Sequence, residues 1–232
     1  MGLIVPAVLP TSREDLEEKI ALLSRIPSVN RIQIDVVDGH FASPASWPYT
    51  APSELKALVK HSDMLPALDR IAYEIDLMCL DAEQVVDTWL SLGATRLTFH
   101  AESAIDLPRL IETSRGRYGE FISLGCALNI ASDLALLEPC LNDIAYVQFM
   151  GIATIGRQGE SFDRRVLEKI KMFRTKYPDI HVQVDGGVSL ESARQLVTLG
   201  VTNLVVGSSI LQAKNPAAAF ATLEALESPF GV

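Results

Sequence analysis

Two aspartates stand at the ends of short apolar segments, where they could act as a proton-transfer pair. Asp35 follows Ile34, and Asp185 follows Val184. Two carboxylates on opposite faces of a flat substrate could exchange a proton at one carbon, one as the base and the other as the acid. The same pattern leaves a second interpretation open, in which one or both carboxylates cap a helix or pair with a nearby Lys or Arg.

Glycines follow two of the later apolar segments. One turn holds Gly186 and Gly187, and the other holds Gly207 followed by Ser208. Glycine turns that lead into helix N-termini expose backbone N–H groups able to surround a phosphate. Either turn alone could simply permit a tight connection, but the two together favour a phosphate site.

The segments that carry these residues belong to an alternating series of strands and helices. Apolar, β-branched runs predict eight strands: Leu3–Leu9, Arg31–Val36, Tyr73–Met78, Thr95–His100, Ile122–Leu128, Ala145–Met150, His181–Val184 and Asn203–Val206. Helical patterns lie between them, with start signals at Ser12, Asp81, Asp163 and Ser189 and a last helix reaching about Leu226.

Eight strands, each followed by a helix, predict an α/β fold consisting of a single (β/α)₈ TIM barrel. A doubly wound sheet is less suitable, because no G-x-G-x-x-G pattern follows the first strand. We expect one domain over residues 1–232, with 42–53 as a loop over the barrel mouth. In such barrels the reactive groups lie at the carboxyl ends of the strands. The rule gathers at one mouth the two aspartates and glycine turns together with His40, Asp76, Met78, His100, Glu102, Asn129 and Met150.

The motifs at these strand ends resemble those of ribulose-phosphate 3-epimerases. The segment 34–41, Ile-Asp-Val-Val-Asp-Gly-His-Phe, is similar to the family's D-x-M-D-G-H-F signature. Further similarity lies at 76–78, 100–102, 128–129, 184–188 and 207–210, in order along the chain. The resemblance implies a ribulose-phosphate-binding type of TIM barrel and a sugar-phosphate epimerase or isomerase. Such an enzyme inverts a carbon next to a ketone by 1,1-proton transfer through an enediolate.

Site roles follow from the resemblance. It makes Asp35 and Asp185 the catalytic base and acid. It implies substrate contacts at Gln33, His40, Asp76, Met78, Met150, Gly186, Gly187, Gly207 and Ser208. The strand-six loop near Gly156 and Gly159 is a less direct match, because it is one residue longer and lacks the family's N-P-G-F-G-G character.

The metal site of the family is altered. The family's metal is bound by two histidines and two aspartates, but Gln33 and Asp76 stand at the histidine positions. Losing both imidazoles disfavours Zn²⁺ and Fe²⁺. Two alternatives stay open. Gln33, Asp35, Asp76 and Asp185 could form an all-oxygen site for Mg²⁺, Mn²⁺ or Ca²⁺. Alternatively no metal is tightly bound, which we favour, and three clustered carboxylates then repel so that at least one pKa rises.

Composition limits the classes of partner. The 232 residues carry 29 acidic and 20 basic side chains, a net charge of −9 that argues against nucleic-acid binding. No apolar run is long enough for a membrane span, and no secretory signal begins the chain. Three unpatterned cysteines suggest free thiols in the cytoplasm. We expect a phosphorylated sugar as the partner, and leave open assembly into a homo-oligomer.

Two other functions remain as alternatives. A lyase or decarboxylase on the same barrel would carry a D-x-K-x-x-D motif, but Met78 stands at the lysine position between Asp76 and Asp81. A non-catalytic phosphate-ligand-binding homologue would have lost catalysis along with its histidines. The retained Asp35 and Asp185 argue against that alternative.

Overall fold

The strands close into a parallel barrel in the order of the chain. The computed structural model describes residues 3–226, and its strands pair consecutively from β1 to β8, with β8 returning to β1. Their bounds are Ile4–Val8, Arg31–Val37, Ala72–Met78, Ala94–His100, Ser123–Leu128, Tyr146–Met150, His181–Asp185 and Asn203–Val206. The predicted TIM barrel is confirmed, and each strand lies within two residues of its predicted bounds.

Helices cover the outside of this barrel. They are α1 to α8 in chain order: Arg13–Leu23, Pro52–His61, Ala82–Ser91, Leu107–Tyr118, Arg165–Lys176, Leu190–Thr198, Ser208–Leu211 and Pro216–Glu224. Ser12 and Ser189 cap α1 and α6 as predicted, since each side chain accepts a hydrogen bond from the backbone N–H three residues on. Asp81 precedes α3 without capping it, and its carboxylate instead accepts a hydrogen bond from Tyr49.

The expectation of a helix after every strand is wrong after β5. Between β5 and β6 the chain forms two 3₁₀ turns, Leu134–Leu136 and Glu138–Cys140. Pro139 lies in the second of these turns, and a proline has no N–H with which to continue an α-helical ladder. The barrel therefore lacks one of its outer α-helices on this side.

The apolar core lies between the strands and the helices, whereas the barrel interior is mostly polar. Outward-facing strand residues such as Ile34, Leu97 and Phe149 join one large buried cluster with the helices. Inside the barrel, only Val5, Ala7 and Val205 form a small apolar cluster among the described residues. The other interior positions carry fully buried polar side chains, namely Gln33, Glu74, Asp76, Thr98, His100, Gln148 and Gln183.

Glu74 is the charged centre of this interior. Its Oε2 lies 2.8 Å from Arg96 Nε and 3.8 Å from Arg31 NH1. Its Oε1 accepts hydrogen bonds from Thr98, Tyr146 and Gln183. A buried carboxylate is tolerated only when it is paired and hydrogen-bonded, and both conditions hold here.

Two sequence expectations concern the limits of this fold. Among residues 3–226, none of the helices has the length and apolarity that crossing a membrane requires. The expected domain range of 1–232 includes residues 1–2 and 227–232, which lie outside the described residues. The extent of the domain therefore stays a prediction.

Replacing Arg96 by Met should destabilise the protein strongly. The change leaves the Glu74 carboxylate buried with most of its compensating charge removed, and breaking such a pair costs about 3 kcal/mol or more. The matched control is Arg117→Met, which breaks an ion pair with Asp87 whose side chains are 62% and 52% exposed. That change should lower the free energy of unfolding by less than about 1 kcal/mol. Urea unfolding of both variants measures the difference, and equal losses would contradict the assignment.

Candidate active site

A cleft opens at the carboxyl end of the barrel, on the side formed by β6, β7, β8, β1 and β2. It encloses about 510 Å³ of space, part of it open to solvent, which suits a small molecule. Strand-end and loop residues line it: Ala7, Leu9, Asp35, Met78, Met150, Ile152, Gly156, Arg157, Gln158, Gly159, Glu160, Asp185, Gly186, Gly187, Val188, Val205, Gly207 and Ser208.

Three aspartates converge at the floor of this cleft. Asp35 and Asp76 are lateral neighbours on β2 and β3, whereas Asp185 ends β7. Although β2 and β7 are three strands apart around the barrel, one carboxylate oxygen from each of the three residues lies within 4.8 Å of the others. The expected convergence of acidic side chains at the mouth is therefore present.

The closeness of these carboxylates raises pKa values. Burial, followed by repulsion from Asp185 and Asp76, raises the pKa of Asp35 well above its ordinary value. Burial, followed by repulsion from Asp76, raises the pKa of Asp185 to about 7. At 4.8 Å and an effective dielectric constant of about 20, two like charges repel by about 3 kcal/mol. A proton is therefore held within the Asp35–Asp185 pair near neutral pH, as an acid–base pair requires.

Gln33 connects the two aspartates from below. Its Nε2 donates to Asp35 Oδ1 and to Asp185 Oδ2, both at 2.8 Å. The amide hydrogens, not the carbonyl oxygen, therefore face the carboxylates. The remaining oxygens, Asp35 Oδ2 and Asp185 Oδ1, accept no hydrogen bond from the described residues and are left for a molecule in the cleft.

Asp76 is held on both of its oxygens. His100 Nε2 lies 3.0 Å from Oδ1, and Gln148 Nε2 donates to Oδ2 at 2.9 Å. Burial alone would lower the pKa of His100, but the Asp76 carboxylate outweighs this effect and raises it. Phe41 covers the imidazole edge-on at 5.2 Å. Asp76 is completely buried and lies beneath the cleft surface rather than on it.

Glycine turns form the opposite wall of the cleft. Gly187 has φ +66°, and a Cβ built on it would lie 2.5 Å from the Cα of Phe162. A Cβ on Gly186, with φ +101°, would lie 2.7 Å from Ile152. Glycine is required at both positions, so the backbone itself forms the cleft surface where an anion could approach.

The loop after β6 closes over this wall. Arg157 Nε donates to the Ser43 carbonyl at 3.1 Å, which joins the β6 loop to the loop after β2. Gln158 Nε2 donates to the Ala7 carbonyl at 3.4 Å and lies against Gly207. Arg157 is the single cationic side chain among the described residues that line the cleft.

Comparison with known proteins supplies the family. A family model described as "Ribulose-phosphate 3 epimerase family" matches residues 3–211. The chain belongs to this family.

Named relatives of the family match nearly the whole chain at low identity. A ribulose-phosphate 3-epimerase of Schizosaccharomyces pombe is 25% identical over 213 residues, 92% of this chain and 88% of the relative. One from Mycobacterium leprae is 27% identical over 231 residues, 95% of this chain and 93% of the relative. The suspected family resemblance is thereby confirmed.

Solved structures agree on the fold. The Streptococcus mutans protein KGPDC, in a complex with ribose 5-phosphate, superposes with a TM-score of 0.68 at 17% identity, covering 95% of this chain and 94% of that one. A 3-hexulose-6-phosphate synthase from Salmonella typhimurium gives a TM-score of 0.68 at 14% identity, covering 97% of each chain. At such identities the likeness concerns the barrel alone.

The predicted site residues fall into three groups in this family member. Asp35, Asp185, Met78, Met150 and the glycine-turn residues line the cleft. Gln33 and Asp76 lie one layer beneath it and contact the aspartates. His40 is exposed and does not line the cleft, while Asp38 holds its loop by accepting from the backbone of Phe41 and Leu80. The roles of all these residues remain predictions.

Sequence reasoning missed the layer under the site, which includes Glu74, Arg96, Gln148 and Gln183. A signal was present, because β4, β6 and β7 alternate polar and apolar residues, as in His-Val-Gln-Val-Asp on β7. Strict alternation indicates one apolar and one polar face. The polar face here points into the barrel.

The family's divalent metals provide a test of the donor set. Asp35, Asp76 and Asp185 form a buried group that could hold an ion. Neither family histidine is present, and His100 is engaged with Asp76. The all-oxygen set predicted with Gln33 is contradicted in one member, because Gln33 presents Nε2 hydrogens to the carboxylates. Hydrogens directed into the carboxylate group do not fit a cation there.

Replacing Gly187 by Ala should destabilise the glycine wall. A positive φ costs a residue with a Cβ about 1–2 kcal/mol, and the methyl group would also overlap Phe162 backbone. The matched control is Gly116→Ala within α4, where a Cβ meets nothing within 4 Å. That change should stabilise by about 0.5–1 kcal/mol. Urea unfolding compares the two, and a Gly187→Ala protein as stable as the wild type would contradict the turn geometry.

Proposed function

We propose that this protein is an isomerase that inverts the carbon next to the ketone of a phosphorylated ketose. Asp35 and Asp185 exchange protons with that carbon, and an enediolate is the intermediate. The observation that carries the proposal is the meeting of the two buried carboxylates at the floor of a cleft whose wall is a pair of glycine turns.

The acid–base assignment is supported by the protonation of the pair. One carboxyl must accept a proton while the other supplies one, so the pair must hold a single proton at working pH. The raised pKa values of Asp35 and Asp185 favour this state near neutrality. In this proposal no tightly bound metal takes part, because amide hydrogens of Gln33 already contact one oxygen of each carboxylate.

The phosphate end of the substrate is assigned to the glycine wall. The backbone at Gly186, Gly187, Gly207 and Ser208 borders the cleft opposite the aspartates, and backbone N–H groups suit a phosphate. Arg157 adds a positive charge on the same loop system. This assignment makes a pentulose or hexulose phosphate the substrate class, and it places the protein in carbohydrate metabolism, with the pentose phosphates as the first substrates to test.

The alternatives receive less support from the site. Met78 stands in the cleft where a lyase would need a lysine, and Asp81 is engaged with Tyr49 in a loop contact. A binder without catalysis gives no reason for two buried carboxylates at the cleft floor. A cytoplasmic location and a homo-oligomeric assembly remain expectations.

The test is hydrogen exchange at the reacting carbon. In D₂O the wild-type protein should place solvent deuterium on the carbon next to the ketone of at least one ketose phosphate, seen by NMR and as a mass gain. Asp35→Asn and Asp185→Asn should each slow this exchange by about 10²- to 10⁴-fold, because a proton-transfer group is lost. Both variants should keep the thermal stabilisation given by the sugar phosphate.

A matched control is Asp179→Asn, an exposed position just before the other end of the same strand as Asp185. It should exchange deuterium at the wild-type rate. Stabilisation by sugar phosphates without any exchange would instead support a binder. Release of carbon dioxide or an aldehyde from a phosphorylated sugar would support a lyase.

A further inference from the structure

Three buried glutamines link the carboxylates at the cleft floor to the ion pair deeper in the barrel. Gln183 lies at the junction, and its Nε2 donates to Glu74 Oε1, to Gln148 Oε1 at 2.8 Å and to Gln33 Oε1 at 3.3 Å. Gln33 and Gln148 then donate upward, to Asp35, Asp185 and Asp76. All three glutamines are fully buried.

The orientation of each amide in this set is determined by the next. Glu74 is ion-paired with Arg96 and can only accept, so Gln183 must present its NH₂ group to it. The same NH₂ group meets the carbonyl oxygens of Gln33 and Gln148, which leaves their own NH₂ groups facing the aspartates. Turning either amide over would set its NH₂ against that of Gln183 and its oxygen against a carboxylate.

We propose that the side-chain amide of Gln33, oriented by Gln183 and Glu74, is the positioning group that holds Asp35 and Asp185 together in place of a metal ion. It holds one oxygen of each carboxylate at 2.8 Å and leaves the other oxygen of each to the cleft. A cation would be attracted by the same oxygens, so the amide and the cation are alternatives for one position. The inference rests on the proposed function for the role of the two aspartates, but its first readout needs no turnover.

The test variant is Gln33→Glu, which keeps the shape of the side chain and replaces the donor by an oxygen. The protein is stripped with chelator and titrated with Mn²⁺, and free Mn²⁺ is followed by electron paramagnetic resonance. The wild type should bind no Mn²⁺ that Asp76→Asn removes. Gln33→Glu should bind one Mn²⁺ per chain at least about tenfold more tightly than the wild type, and adding Asp76→Asn should abolish that binding.

The matched control is Gln84→Glu, which makes the same chemical change at an exposed position on α3. It should behave as the wild type in the Mn²⁺ titration. A wild-type protein that binds one Mn²⁺ dependent on Asp76 would overturn the proposal. So would a Gln33→Glu protein that is folded by circular dichroism and binds Mn²⁺ no better than Gln84→Glu.

A second variant keeps the proposal decidable if Gln33→Glu does not fold. Gln33→Met keeps similar bulk without adding charge and removes the amide hydrogens. It should lower kcat for deuterium exchange by about 10- to 100-fold with KM unchanged, because Gln33 does not line the cleft. An unchanged kcat would overturn the positioning role. A wild type inactive on every ketose phosphate would overturn the proposed function, while the Mn²⁺ titration would still decide this inference.

Discussion

The carboxylate of Glu74 in the middle of the barrel is the constraint on which the rest of the site depends. A buried charge must be both paired and hydrogen-bonded, and Arg96, Thr98, Tyr146 and Gln183 meet this need. Each partner occupies an interior position that would otherwise be filled by the branched apolar residues common in such barrels. The interior is consequently a hydrogen-bonded network, and the apolar core lies outside the strands.

This network has a direction. Glu74 accepts at one end, the glutamines pass the donor sense along, and hydrogens arrive at the carboxylates under the cleft. A side chain that turned over at any step would leave a buried donor or acceptor unmatched, which costs about 1–3 kcal/mol. The positions of Asp35 and Asp185 are therefore set by a buried charge more than one layer below them.

Sequence alone predicted the barrel closely, because each strand is a compact apolar run bounded by clear turn or cap residues. It also selected Asp35 and Asp185, since strand ends of a barrel meet at one mouth. The missing helix after β5 was overlooked although Pro139 stands in the segment. The donor orientation of Gln33 could not be predicted, because an amide faces its partners either way until Gln183 and Glu74 are placed around it.

The two departures at the family's histidine positions are best understood as one change. Asp76 alone would add a third negative charge beside Asp35 and Asp185, at a cost of about 3 kcal/mol for each ionised pair at such separations. His100 and Gln148 offset this charge by occupying both Asp76 oxygens, and Gln33 does the same for one oxygen of each remaining carboxylate. Neutral amides can compensate charge in this way only if their own carbonyls are satisfied. Gln33 and Asp76 therefore require Gln148, Gln183 and Glu74 beneath them.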